Sequence, residues 1–595
     1  MSAEKQIAKI TSITIENFKG IGAPVTIPLK PITLMFGANS AGKSTVLQAI
    51  LLMNDWLQRL GPDLDTLSLG GDKIHLGGFK QFVHRHDESK MVKIRVESSL
   101  VRKQQPFSPI DGKKLPCFPE VFKPSNQDDF ATVDLNKLED LQTCFVEIWF
   151  GRAYSEKRPY IVQYSVGLNG TWIVSRDIMF SVRLNPLHPV VVNISRQNDG
   201  LRKAITLSNI ADRSFITAMS KICMEELLSS DFSPRKACIP SGWTVPYELQ
   251  FSESEYYEAY KENPETFLKA DIDERGITGV DLNPLAHLVS QLLLGVGETV
   301  SEALSKHIHI GPLRMVPETG RVEEWEKTCW FDGSQAWMEI LKPRLGITKN
   351  DEMTEDEAVN KLVECLDWLA SEREPDEYGA LIKTGFFLEV VKLDYKVQCK
   401  NSQLLDVDGQ WMQYLKGLSK KRGAKLIASQ VAEILAEIKK APVQREVVFL
   451  DASNTELRPI DLGTGVSQLM PILIGAVVGG GALSIEEPEL HLHPAMQCDL
   501  ADVFIIRANW GRVSILETHS EHIILRLLRR MRETAAGNAP EGKELTPDDV
   551  AVLYLEPASD GIRVTELRVD EEGGFVDEWP NGFFEEGFNE IIGGL

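Results

Sequence analysis

Hydrophobic and polar positions alternate with period two from Ile10 to Phe18. A short apolar run at Val25–Leu29 follows, and a second at Ile32–Phe36 enters a glycine-rich loop. Apolar residues then recur at helical spacing over Thr45–Leu60, so the chain opens with a predicted strand, turn, strand, loop and helix. From about Val92 to Leu207, β-branched and aromatic runs return between turn signals: VKIRVESSL, CFVEIWFG, YIVQYSVGLNG, RDIMFSVRL, VVVNIS and AITLS. Short strands at such spacing predict an antiparallel sheet attached to the first unit. Residues 214–345 turn mostly helical in period, broken by Pro and Gly, and HIHIGPLR at 307–314 reads as a strand entering a turn. Strand and helix alternate again in the last third: VVFL at 447–450, the helix SQLMPILIGAVV, then strands ALSI at 482–485, VSIL at 513–516 and AVLYL at 551–555. The two alternating stretches predict one α/β fold split between the ends of the chain.

Five units follow from this pattern: an N-terminal lobe at 1–100, an antiparallel β subdomain at 101–213 and a mainly helical insertion at 214–445. A C-terminal lobe at 446–560 and a tail at 561–595 complete the 595 residues. The longest apolar run, Leu469–Ile485, is interrupted by Pro471 and four glycines and is followed at once by acids. It predicts a buried helix and strand, not a membrane span of about 20 residues. No sustained heptads and no fixed-period repeat occur.

Composition narrows the classes. A hydrophobic fraction of 43% and a charged fraction of 25% are those of a folded globular chain. The net charge of −22 argues against nucleic-acid binding by bulk positive charge. Eight scattered cysteines without CxxC or zinc spacing predict neither disulfides nor a structural metal, and MSAEKQIAKITSITIENF has no apolar leader, so the expected setting is the cytoplasm. One local exception to the acidity stands out: Lys416, Lys420, Lys421, Arg422 and Lys425 fall in a stretch without acids, a candidate contact for a phosphate backbone or an acidic partner.

Four segments carry chemistry. Gly37-Ala38-Asn39-Ser40-Ala41-Gly42-Lys43-Ser44 fits GxxxxGK[ST] once in the chain, after an apolar strand and before a helix that Thr45 begins. Glycines let backbone N–H groups wrap a polyphosphate, Lys43 reaches its outer phosphates, and the Ser44 hydroxyl ligates Mg²⁺. Glu486 and Glu487 end an apolar strand, the first placed to hold the metal and the second to take a proton from attacking water. Gly463, Gly465, Ser467 and Gln468 open a helix, a second anion site expected to serve a nucleotide held by another subunit. His519, in Glu517-Thr518-His519-Ser520, stands where a histidine can hydrogen-bond a γ-phosphate. His84, His86, His491 and His493 are read as ordinary loop residues, with no metal assigned.

These pieces, in this order, resemble the head domain of ABC-type ATPases of the SMC and RecF group, and more closely the single-chain AAA-like ATPases related to the overcoming-lysogenization-defect (OLD) family. The resemblance rests on ITIENFKGI, GANSAGKS, DLGTGVSQLMPIL, SIEEPELHLHP and LETHSEH; GGFVDEWPNGFFEEGFNEII is similar to a short C-terminal domain of unknown function in one branch. It implies a split P-loop NTPase of α/β class. ATP and Mg²⁺ would be bound by Lys43 and Ser44, with Glu486 in place of the usual metal-binding aspartate. Glu487 would be the catalytic carboxylate, His519 the switch histidine, and Gln81 the glutamine-loop ligand of the metal. The signature segment would act in trans across a homodimer. Gly463 stands where ABC proteins usually carry serine, which throws the trans contact onto backbone N–H groups, Ser467 and Gln468. The insertion shows no sequence of a long coiled-coil arm, and with 76 residues after His519, fewer than a Toprim nuclease domain takes, no self-contained nuclease activity is expected.

The leading expectation is an ATP-hydrolysing switch that dimerises around nucleotide and controls a separately encoded effector such as a nuclease, in the setting of bacterial anti-phage defence that the resemblance implies. Two alternatives stay open: a DNA repair or recombination ATPase using the Lys416–Lys425 cluster on nucleic acid, and a nucleotide-gated scaffold with little hydrolysis.

Overall fold

The computed structural model describes residues 8–58, 76–100, 142–152, 159–177, 182–184, 296–297, 299–318, 328–340, 379–403, 443–582 and 584. Its centre is a six-stranded sheet in the order β16 (Gly561–Leu567), β15 (Val550–Ala558), β3 (Ile32–Phe36), β14 (Ser514–Glu517), β13 (Leu483–Glu486), β9 (Ile308–Ile310). All neighbours pair in parallel except the β15–β16 hairpin at one edge. β3 is buried at every position, the signature of a parallel strand covered on both faces. Its alternate residues Ile32, Leu34 and Phe36 face one core and Met35 the other.

On the Met35 face lie α1 (Lys43–Gln58) and a seven-stranded antiparallel sheet ordered β2 (Val25–Pro28), β1 (Ile10–Glu16), β4 (Val92–Ser99), β5 (Thr143–Gly151), β6 (Tyr160–Leu168), β7 (Thr171–Asp177), β8 (Val182–Leu184). β4 alternates strictly between buried and partly exposed positions, so one face packs and the other meets water. β4 and β5 are neighbours in this sheet, so residue 100, the expected lobe boundary, falls inside one hydrogen-bonded unit that begins at β1. The expected strands at 190–195 and 204–208 lie outside the described residues, as does the Lys416–Lys425 cluster.

On the opposite face pack α3 (Ser334–Ile340), α4 (Gly379–Val390), α5 (Thr464–Val478), α6 (Pro494–Asn509) and α7 (Glu521–Ala535); the short α2 (Phe79–Phe82) belongs to the first core. Where it is described, the 214–445 stretch holds α3 and α4 and strands as well. It supplies the edge strand β9 and the strand β10 (Lys396–Gln403), which pairs antiparallel with β11 (Val443–Leu450); β12 (Glu456–Leu457) completes that small sheet. The residues of β10, KVQCKNSQ, hold one apolar–polar alternation too few for period two to register. No helix among the described residues is long and apolar enough to cross a membrane.

Helix ends are set locally. Ser520 caps α7 by accepting from Ile523 N–H at 3.1 Å, and His493 caps α6 by accepting from Ala495 N–H at 3.2 Å with Pro494 following. The C-terminal carbonyls of α5 are taken by the buried Arg507, which donates to Ala476 O and Gly479 O, each at 2.9 Å. Burial, and after it the Arg512 charge, lowers the Arg507 pKa to about 9.

α6 and α7 are joined by charge. Asp502 accepts from Arg526 at 3.0 Å, from Arg530 at 2.9 and 2.7 Å and from Lys543 at 2.9 Å. Burial alone would raise its pKa, but the hydrogen bonds from Arg530 and Lys543 hold it below the ordinary carboxylate value. A depressed folded-state pKa contributes stability that is complete above the unfolded-state value and is lost as pH falls through the folded one. The unfolding midpoint is therefore expected to drop as acid passes below about pH 4, the unfolded aspartate value. Asp502→Asn should destabilise the protein at neutral pH by about 3 kcal/mol, the range for one broken partner of a buried ionic network, and flatten that acid limb. Denaturant melts from about pH 3 to about pH 7, spanning the unfolded value, read both; an unchanged acid limb in the variant would assign the pH dependence elsewhere.

Candidate nucleotide site

The loop after β3 is shaped by backbone that only certain residues tolerate. Gly37 has φ 146° and Gly42 φ 95°, and Ser40 between them takes φ 62°. A Cβ at Gly37 would overlap the Leu555 carbonyl oxygen, and one at Gly42 would overlap the side chain of Ile562. The β15–β16 hairpin is thus the wall against which the loop is formed. Phe36, the last residue before the loop, sits edge-on to Trp579 at 5.3 Å and to Phe584 at 5.5 Å, so the C-terminal tail packs behind the same turn.

Lys43 opens α1 and turns its ammonium back into the loop. It donates to Gly37 O at 2.9 Å and Ala38 O at 3.2 Å, and lies 2.9 Å from His519 Nε2. An ammonium has only donors, so Nε2 accepts, and His519 is neutral with its proton on Nδ1. Burial lowers the His519 pKa, the Lys43 charge lowers it further, and Glu487 opposes them. Burial also lowers the Lys43 pKa, opposed by Glu517, Glu487 and Glu489.

Glu486 and Glu517 are register partners at the C-terminal ends of the parallel strands β13 and β14. Ligands of open α/β sheets collect at such ends. Glu517, not Glu486, meets the phosphate-loop hydroxyl: Ser44 donates to Glu517 Oε2 at 2.8 Å. Burial first, with Glu486 and Glu487 adding to it and Ser44 and Lys43 opposing, raises the Glu517 pKa to about 7. Glu486 lies instead 3.3 Å from His309 Nε2, and His309 Nδ1 and His307 Nε2 each stand 2.8 Å from Ser484 Oγ. A carboxylate only accepts, so His309 presents an N–H to Glu486, and the Ser484 hydroxyl links His309 to His307. Glu489 accepts from Thr518 Oγ1 at 2.7 Å and from His519 N–H at 2.6 Å, which fixes the histidine's backbone. Its pKa is raised, chiefly by burial.

Glu487 adopts φ 45°, a strained value for a residue with a side chain. Its N–H donates to Glu517 O at 2.8 Å. Its carboxylate accepts no hydrogen bond from the described residues, and its charge is felt by both Lys43 and His519.

At the signature segment, Gly463 caps α5 with open space around it, and Gly465 packs under the His491 carbonyl. The Ser467 hydroxyl bonds back to Gly463 O at 3.3 Å and Thr464 O at 3.2 Å. Gln468 Nε2 donates to Arg314 O at 2.6 Å while its Oε1 accepts from Arg314 N–H at 3.1 Å. The two side chains expected to reach a second subunit are therefore engaged within their own chain. The exposed end of α5 offers backbone N–H groups instead. Gln81 is exposed on α2 and bonds neither Ser44 nor Glu486, so it does not join the metal-ligating set. His84 and His86 bond the carbonyls of Lys19 and Lys80 at 2.9 and 2.7 Å.

The structure thus gathers Lys43, Ser44, Glu486, Glu487 and His519, and adds Glu517, Glu489, His309 and Arg314, to which no role was attached. Glu517 was legible by its place at a strand's C-terminal end, two residues before His519; Glu489 was hidden in an acid-rich loop. Among the described residues no group of three or more His, Cys, Asp or Glu forms a ready metal cage. The oxygen donors of Ser44, Glu517 and Glu486 suit Mg²⁺, a hard cation that takes one or two carboxylates and completes its shell with phosphate and water.

Residues 9–153 and 326–524 match the AAA ATPase domain family, and residues 545–591 match a family of unknown function, DUF3696. No curated protein matches the sequence. Similar solved structures include the Smc head domain with an extended coiled coil bound to the C-terminal domain of ScpA, from Pyrococcus furiosus. It is 11% identical with a TM-score of 0.32, covering 94% of this chain and 97% of that one. The SMC head domain from Thermotoga maritima is 8% identical with a TM-score of 0.31, covering 94% of this chain and 100% of that one. With the family match spanning more than half of its length and the phosphate loop formed at the end of β3, the chain belongs to the AAA ATPase domain family and carries its nucleotide-binding P-loop fold.

Proposed function

We propose that the protein hydrolyses ATP with Mg²⁺, that the α5 N-terminus of a second copy completes each site, and that the nucleotide-bound dimer switches a separately encoded effector. The observation that carries this reading is the meeting of Lys43, Ser44, Glu517, Glu486, Glu487 and His519 at the ends of three adjacent parallel strands. Triphosphate entering the loop offers Lys43 phosphate oxygens in place of the Gly37 and Ala38 carbonyls. Ser44, Glu517 and Glu486 would hold Mg²⁺, which supplies neutralisation of the β- and γ-phosphate charge. Glu487, whose carboxylate accepts no hydrogen bond from the described residues, takes a proton from the water as its oxygen bonds to the γ-phosphorus and the bond to the bridging oxygen breaks. His519 Nε2 accepts from Lys43 at 2.9 Å, and a γ-phosphate that draws Lys43 toward itself would free the histidine to change partner. The resemblance to OLD-related ATPases supports an effector such as a nuclease and a role in anti-phage defence.

Steady-state ATPase activity across a hundredfold range of protein concentration tests the reading. Specific activity that rises and saturates is expected, because the site is shared between copies. A rate independent of concentration would mean a preformed oligomer or a site complete within one chain, and nucleotide binding without turnover would favour a nucleotide-gated scaffold.

A further inference from the structure

Arg314 follows β9 and is only 5% exposed. Its backbone is held from both sides. Gly311 N–H donates to Phe331 O at 2.7 Å and Met315 N–H to Asp332 O at 2.6 Å, bracketing it, while Gln468 of α5 both donates to its carbonyl and accepts from its N–H. Its guanidinium reaches the other way: Nη2 donates to Glu486 O at 2.9 Å and Glu487 O at 3.3 Å. One residue therefore bridges the N-terminal half of α5 and the turn that carries Glu487.

Nε and Nη1 of Arg314 have no hydrogen-bond partner among the described residues. An arginine retained only for packing satisfies its donors, since each buried unmade bond is costly. Here the open donors stand beside Glu486, Glu487 and Glu489, whose charges oppose the burial that lowers the Arg314 pKa to about 10. Spare donors let the guanidinium change acceptors when the turn shifts, and the longer bond to Glu487 is the one poised to change. Glu487 is also the strained member of the turn, at φ 45°.

We propose that Arg314 and Gln468 form a clasp through which anion engagement at the α5 N-terminus sets the position of Glu487 in the same chain. The proposal rests on the reading that α5 of one copy meets the nucleotide bound to the other. It then makes the two nucleotide sites of the dimer interdependent, because the α5 that touches one triphosphate is clasped to the catalytic turn of the other site. Arg314 and Gln468 are positioning residues in this scheme; neither touches the reacting atoms.

The experiment compares wild type, Gln468→Ala, Arg314→Lys and the double variant by ATP turnover against ATP concentration and by binding of a fluorescent ATP analogue. Gln468 is only partly buried, so its truncation spares the core. Lysine keeps the Arg314 charge but loses the rigid guanidinium plane that aims Nη2 at both carbonyls and carries the two spare donors Nε and Nη1. Each single variant is expected to bind the analogue within about twofold of wild type, to lose about tenfold in kcat, and to bring a Hill coefficient that approaches about 2 in wild type down to about 1. The double variant should be no worse than the poorer single one, as for residues acting through one contact. Unchanged kcat in Gln468→Ala, multiplicative losses in the double variant, or a fall in analogue binding that matches the fall in kcat would each overturn the clasp. So would a wild-type Hill coefficient of about 1 with normal turnover, which leaves the hydrolysis reading intact; a wild type without turnover would sink both.

Discussion

Glu487→Gln is expected to bind ATP as wild type does while turning over about 10²–10⁴-fold more slowly, the usual range for losing a positioned general base. The exchange keeps size and shape, and no hydrogen bond among the described residues is lost, because the Glu487 carboxylate accepts none from them. Two of its contacts that hold the turn, N–H to Glu517 O at 2.8 Å and carbonyl to Arg314, are backbone contacts and survive. What disappears is the carboxylate whose charge Lys43 and His519 both feel. Glu517 is engaged by Ser44, Glu489 by Thr518 and the His519 N–H, and Glu486 by His309. The variant should therefore accumulate the ATP-bound state, with a larger dimer fraction by sedimentation in ATP than the wild type shows. Single-turnover hydrolysis at saturating ATP is the measurement, and a rate within about threefold of wild type would remove Glu487 from the reaction.

Lys43→Ala should weaken ATP binding about a hundredfold or more. A charge-assisted hydrogen bond is worth about 1.5–3 kcal/mol, and Lys43 would supply more than one to the phosphates. The loss has a second source in the nucleotide-free protein. Lys43 is the cation beside Glu517, Glu487 and Glu489, and without it those carboxylates repel one another and the incoming triphosphate more strongly. Calorimetric titration with ATP and Mg²⁺ reads the affinity, and a thermal melt without nucleotide separates lost binding from lost folding. Affinity within about tenfold of wild type in a folded variant would show that the loop holds phosphate by its backbone alone.

The wall behind the phosphate loop gives the C-terminal segment a physical place in the site. Leu555 and Ile562 press on Gly37 and Gly42, and Trp579 and Phe584 on Phe36, so the part of the chain matching DUF3696 shapes the loop that the AAA ATPase part supplies. The loop's conformation is a joint property of segments at opposite ends of the chain.

Local sequence determined what depends on local geometry. GANSAGKS between an apolar strand and a helix, two acids at the end of ALSI, and a histidine after VSIL are each legible because backbone N–H direction, strand alternation and helix spacing act over a few residues. The tertiary structure decided everything that depends on which strands become neighbours. The strand order β3–β14–β13 puts Glu517, and not its register partner Glu486, within reach of Ser44, 473 residues away. The edge position of β9 brings His309 to Glu486 and Arg314 to the Glu487 turn, and draws Gln468 away from the outward role that its motif suggested. Gln81, placed by distance along the chain, ended on an exposed helical turn. Strand order and register are set by the sum of many long-range contacts, none of which leaves a periodic mark on the segments it joins.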